Sequence, residues 1–179
     1  MKKHLLLITA ILWALFLTAQ EPAGYYNAAD GKKGQALRIA LSQIINNNAS
    51  SLSYDGLWNA FTQTDVKSNG KIWDIYSDIP GGTPPYEYTP GADQCGNYTN
   101  EGDCYNREHS VPKSWFNSQT PMYTDLFHMY PTDGKVNGER GNLPYGEVGN
   151  ANWTSLNGSK RGSSVTPGYS GTVFEPIDA

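Results

Sequence analysis

Two of the three histidines of this sequence, His109 and His128, fall in one stretch with Glu108, Asp125, Asp133, Asn137, Glu139 and Arg140. These residue types match what hydrolysis of a phosphodiester requires. The attacking water must lose a proton, and an imidazole titrating near neutrality is the usual acceptor. Negative charge then grows on the phosphate and on the departing oxygen, which a hard divalent cation held by oxygen ligands answers. His109 is a candidate base, and Glu108 and Asn137 are candidate oxygen donors.

Each residue also has a plainer reading. A lone His109 fits a hydrogen-bonded structural histidine. His128 sits in the apolar run LFHMY and fits packing or support of another site residue. Asn137, between Val136 and Gly138, fits a turn or a helix end, and Lys135 and Arg140 fit ordinary surface charges. Adjacent strand residues point to opposite faces, so Glu108 and His109 can share a cleft only at a bulge or a strand end.

The elements that must position these residues follow from the pattern. Val111-Pro112 is expected to end a strand, with Leu126 to Tyr130 as its partner. Pro131, Thr132 and Asp133 then open a short helix, which Gly134 and Gly138 weaken. Strand, strand and helix would bring Glu108, His109 and Asn137 together. Upstream, Lys32 to Asn46 reads as a helix with Leu37, Leu41, Ile44 and Ile45 on one face and Asp30 as its N-cap. Ser53 is expected to cap a second helix carrying Leu57, Trp58 and Phe61 in the core. The stretch KIWDIYS, Lys71 to Ser77, alternates like a strand. A long loop rich in Gly, Pro and Tyr follows it.

Composition sets the class. Of 179 residues, 38% are hydrophobic and 12% aromatic, too much buryable surface for a disordered chain. Only 17% are charged, so Asn, Ser, Thr, Gly and Tyr carry much of the polarity. The 19 Gly and 11 Pro show no period, which excludes collagen-like and low-complexity readings. Lys2 and Lys3 precede an apolar run from Leu5 to Leu17 and a small residue at Ala19, the form of an export signal over residues 1–20. The run is short for a membrane span, so no membrane association is expected after cleavage. Without Lys2 and Lys3 the basic count falls from 13 to 11 against 17 acidic residues, a net charge of −6. Binding of a polyanion must then come from a local basic patch or a bound cation. In an oxidising compartment Cys95 and Cys104, the only cysteines, are expected to close a disulfide rather than to bind zinc.

The segments REHSVPKSWF, Asp125 to Pro131 (D-x-x-H-x-x-P) and DGKVNGERGN from Asp133 to Asn142 resemble the endonuclease I family of secreted and periplasmic nucleases, from about Tyr25 to the chain end. The resemblance implies an α+β fold with a ββα-metal (His-Me finger) core, an N-terminal helical part and long loops, in a single domain over 21–179. It implies a secreted or periplasmic, sequence-tolerant, metal-dependent endonuclease that cuts DNA, often RNA too, to 5′-phosphate ends, and a monomer is expected. By position His109 matches the general base, and Glu108 and Asn137 match the ligands of Mg²⁺, with Mn²⁺ or Ca²⁺ as substitutes. Lys113, Lys135 and Arg140 are assigned to a local positive cleft, Arg140 as a phosphate clamp. His128 is assigned to support of the base.

Three departures from the family pattern are visible. Only Ser114 to Thr124 joins the two strand motifs, without the Arg that relatives place there. Phe127 stands where many relatives have His. Similar proteins continue past Ala179 into a further helix, so the chain is expected to be truncated and to lack that helix. An inactive nuclease remnant is therefore one alternative function. An extracellular glycan-binding module, suggested by the Tyr- and Trp-rich composition, is the other.

Overall fold

The computed structural model describes residues 21–47 and 49–177, and the expected export signal at 1–20 lies outside the described residues. The chain divides into two compact units, residues 1–50 and 51–179. In the first unit, a 3₁₀ turn at Asn27–Ala29 precedes helix α1, Gly34–Asn46, with Ala29 and Ala40 buried. The expected cap at Asp30 is not used. Gly31 adopts a left-handed φ of 69° that turns the chain before the helix, and extended Lys33 precedes α1 with no side-chain cap. Of the expected apolar face, Leu37, Leu41 and Ile44 are half-buried, while Ile45 is 64% exposed.

The second unit is α+β. Helix α2, Gly56–Thr64, opens where Ser53 Oγ accepts the Gly56 N–H at 3.0 Å, as the sequence suggested. Its Leu57 and Phe61 are fully buried with Ile72, Tyr88, Tyr105 and Met129 in the main core. Strand β1, Tyr105–His109, pairs antiparallel with β2, Met129–Asp133, in the register Tyr105 to Asp133 and His109 to Met129. Helix α3, Gly134–Arg140, follows without a linker because Asp133 Oδ1 accepts the Val136 N–H at 2.8 Å. Pro131 sits in β2 without costing a ladder bond. Its backbone faces away from β1, and its carbonyl accepts the Ile75 N–H at 3.2 Å.

A second sheet is a meander of β3 (Val148–Thr154), β4 (Lys160–Ser164) and β5 (Thr172–Glu175). No strand was expected in this region. Its Phe174 packs with Tyr76 and Val136 in a second, smaller core cluster.

The strand expected at Lys71–Ser77 does not form, apart from a single bridge between Val66 and Ile72. The cause is Asp74. Its Oδ1 accepts the N–H groups of Tyr76 at 3.0 Å and Ser77 at 3.1 Å, a side-chain turn that replaces ladder bonds. The expected disulfide is present, Cys95 to Cys104, with Cα atoms 5.8 Å apart. Among the described residues, no helix is long and apolar enough to cross a membrane.

Candidate active site

Strand β1 is an edge strand, and that fact organises the site. Residues 105, 107 and 109 turn their backbone groups away from β2. At Tyr105 these groups meet the chain before the disulfide loop, through Tyr105 N–H to Asp93 O and Cys95 N–H to Tyr105 O, both at 3.0 Å. Further along, helix α3 takes over. Asn137 Nδ2 donates to Arg107 O at 3.4 Å, Arg140 Nη1 to His109 O at 2.6 Å, and Arg140 Nη2 to Ser110 O at 2.6 Å. The outward carbonyls at this strand edge and at Ser110 are thereby taken by side chains of the next helix.

The same edge solves the problem of opposite faces. Glu108 and Asn106 lie on the α3 face of β1, while Arg107 and His109 lie on the α2 face. A cavity of about 310 Å³ opens over the β1 edge and is bordered from both sides, by Glu108, Asn137 and Arg140 and by Arg107, His109 and Lys113. His109 is also the last residue of the strand.

Glu108 is 2% exposed. Tyr76 Oη donates to its Oε1 at 2.6 Å and Arg140 Nη1 to the same oxygen at 2.5 Å. Burial pushes its carboxyl up to about 7, against the pull of Arg140 and the Tyr76 hydroxyl. Burial, followed by the Glu108 charge, also raises the Tyr76 phenol far above its ordinary value, so it stays a donor. Tyr76 Oη further pairs with the Tyr145 hydroxyl.

His109 is stacked on Tyr123, with ring centroids 5.3 Å apart, and on Tyr54 at 6.1 Å. Its Nε2 lies 3.1 Å from Tyr123 O. A carbonyl only accepts, so Nε2 carries the proton and the lone pair of the neutral ring is on Nδ1. Burial lowers the His109 pKa to about 4, the Tyr123 carbonyl opposing and the charges of His128, Lys113 and Arg107 adding to the drop. The ring is therefore neutral at physiological pH.

Asn137 is oriented by its amide nitrogen, which donates to Asn106 Oδ1 at 2.5 Å as well as to Arg107 O. The amide oxygen is left over as an acceptor, and Asn137 lines the cavity. The remaining sequence candidates separate. Lys113 borders the cavity, while Lys135 pairs with Glu139 at 2.7 Å and does not reach it. Arg140 is not a free phosphate clamp. It is 1% exposed, and both terminal nitrogens are committed to Glu108 and to the β1 carbonyls. His128 packs against His109 with ring centroids 5.9 Å apart, and its Nε2 is 2.6 Å from Met122 O.

Sequence reasoning missed Arg107 as a member of the site. Its guanidinium lies 3.6 Å from the Tyr54 ring centroid and 4.2 Å from that of Trp58, and it donates to Tyr54 O at 2.8 Å. Strand alternation with His109 was the available signal. Tyr76 and Tyr98 were missed too, one inside the misread strand and the other in the disulfide loop.

The sequence signature described as Endonuclease I matches residues 33–179, most of the chain. This chain belongs to the endonuclease I family. Among relatives, an extracellular ribonuclease of Bacillus subtilis (strain 168) is 30% identical over 158 residues, covering 86% of this chain and 47% of the relative. An extracellular ribonuclease of Bacillus amyloliquefaciens is 31% identical over 170 residues, covering 92% and 51%. This endonuclease I family chain thus spans about half the length of the curated relatives it matches. No solved structure matches it.

Proposed function

We propose that this chain is a secreted, metal-dependent endonuclease that hydrolyses phosphodiester bonds of RNA or DNA to 5′-phosphate ends with little sequence preference. The observation that carries this reading is a neutral imidazole, its free Nδ1 fixed by the Tyr123 carbonyl, in one cavity with the Glu108 carboxylate and the Asn137 amide. The relatives, both named extracellular ribonucleases, support nucleic acid as substrate, RNA included, and an extracellular setting.

The residues present fit a hard divalent cation. The donors are one carboxylate and one amide oxygen, and among the described residues no cluster of three or more His, Cys, Asp or Glu could hold a metal. So sparse a donor set suits Mg²⁺, which keeps several waters and is completed by phosphate. In this reading Glu108 and Asn137 hold the ion. Mg²⁺ when bound supplies positive charge to the phosphate and the leaving oxygen. His109 Nδ1 takes the proton of the attacking water, and Tyr123 and Tyr54 keep the ring from turning. Arg140 and Tyr76 fix Glu108 from behind, and Lys113 offers its charge to phosphate. The order of β1, β2 and α3 supports the ββα-metal core that this reading requires.

The test is degradation of plasmid DNA and of RNA with Mg²⁺, with and without chelator, beside His109→Ala. Loss of a general base costs about 10²- to 10⁴-fold in rate. Cutting that survives both the chelator and the substitution would refute the assignment.

A further inference from the structure

Helix α3 carries glycines at positions 134 and 138, one turn apart on one face, and within a helix glycine is disfavoured by about 1 kcal/mol relative to alanine, a cost that falls mainly on Gly138. Tyr98 explains both. A Cβ on Gly134 would collide with Cδ1 of Tyr98 and stand 2.8 Å from its Cγ, and one on Gly138 would collide with its Oη and stand 3.2 Å from its Cζ. The phenol ring therefore lies lengthwise along a full turn of α3, in a track that only glycines leave open.

The loop that carries this ring is held at several points. The disulfide closes it, and Asp103 Oδ2 accepts the N–H groups of Thr99 and Asn100 at 2.8 Å. Gly102 N–H donates to the buried Asp133 at 2.8 Å, and Glu101 accepts the Leu156 N–H at 2.8 Å. Yet the ring so placed is only half-buried and borders the cavity beside Asn106 and Asn137. A rigid aromatic side chain thus borders the cavity along the turn of α3 that carries Asn137, the amide proposed to hold the ion.

We propose that Tyr98 is a base-stacking platform that fixes the nucleotide next to the scissile phosphate. This rests on the nuclease reading and adds to it a contact with the base. Stacking suits a sequence-tolerant enzyme because every base offers a π face. It also supplies affinity that an acidic chain does not draw from its overall charge.

The test uses the inactive His109→Ala protein with Mg²⁺ and a short fluorescein-labelled single-stranded RNA, beside a strand of the same backbone with abasic sites. Tyr98→Phe and Tyr98→Trp are expected to bind the normal strand within about threefold of Tyr98, and Tyr98→Leu about tenfold or more weaker. On the abasic strand Tyr98 itself is expected to bind more weakly and the four proteins to bind alike. The proposal is overturned if Tyr98→Leu binds the normal strand as Tyr98 does, or if it weakens both strands equally, which would mean that the ring only packs the loop. It is also overturned if Tyr98→Phe falls as far as Tyr98→Leu, which would assign the effect to the hydroxyl. A chain with wild-type His109 that cuts neither RNA nor plasmid overturns the nuclease reading itself. One that cuts, with any of the three binding outcomes, overturns the platform alone.

Discussion

Glu108 accepts from Tyr76 and Arg140 through one oxygen, deep in the protein, and the worth of that arrangement is measurable. A buried ion pair adds little over an apolar pair of similar shape, but removing one partner strands a buried charge. Arg140→Met is expected to destabilise the fold by about 3–5 kcal/mol, and Glu108→Gln placed beside it to recover a large part of that loss, both read from denaturant unfolding. A double variant no more stable than Arg140→Met would show that the arginine acts through the β1 carbonyls rather than through the carboxylate. Tyr76→Phe removes a single donor and is expected to cost about 1–3 kcal/mol in the same assay. At this scale the sequence was legible where chemistry restricts residue choice. Glu108, His109 and Asn137 were candidates by residue type, with their roles implied by the family resemblance, and they border one cavity. Arg140 was found but misread, because its type alone does not say whether a guanidinium faces phosphate or a buried carboxylate. Tyr76 carried no such signal.

Helix α3 shows how an element can trade local preference for a contact made elsewhere. Its two glycines argue against a helix when read locally, while its Asp133 cap argues for one, and the cap and the tertiary contact prevail. Gly134→Ala is thus expected to destabilise the protein, although alanine is the better helix former, because the added methyl meets the Tyr98 ring. In a Tyr98→Ala background the same substitution should stabilise by less than about 1 kcal/mol, since Gly134 is the first residue of the helix. Thermal or denaturant melts of the four proteins form a cycle, and a Gly134→Ala change of one sign in both backgrounds would remove the ring as the cause. The other elements were legible in proportion to their patterning. The α2 cap at Ser53, its buried Leu57 and Phe61, and the presence of two paired strands before α3 follow from local signals. The strand bounds differ, because β1 ends at His109 rather than at Val111-Pro112 and Pro131 to Asp133 lie in β2 rather than opening the helix. The meander of β3 to β5 does not, since its strands are rich in Gly, Asn, Ser and Thr and have few apolar residues to mark a buried face. Lys71–Ser77 alternated like a strand, yet Asp74 folded its side chain onto the backbone.

That aspartate ties distant parts of the second unit together. Asp74 is 6% exposed, and besides closing its own turn it accepts Thr132 Oγ1 at 2.6 Å and the Asp133 N–H at 2.7 Å, at the junction of β2 and α3. The turn it closes presents Tyr76 O to Asn157 Nδ2 and, at 3.0 Å, to Ser159 Oγ, so the second sheet is tied to the same point. Burial raises the Asp74 pKa from 3.8 to about 6, helped by the Asp133 charge and opposed by the hydrogen bonds from Thr132, Tyr76 and Asp133. The folded state therefore binds this proton more tightly than the unfolded chain does. Its contribution to stability is full below 3.8 and is lost as pH rises through 6, a change on the order of 3 kcal/mol. Asp74→Asn removes the titration while the other acids remain. The stability of the wild-type chain relative to Asp74→Asn is accordingly expected to fall between about pH 4 and 7, read from urea unfolding at each pH. A gap that instead grows as pH rises would mean that the four converging donors outweigh burial and that Asp74 is held as the carboxylate, its hydrogen bonds strongest when it is charged.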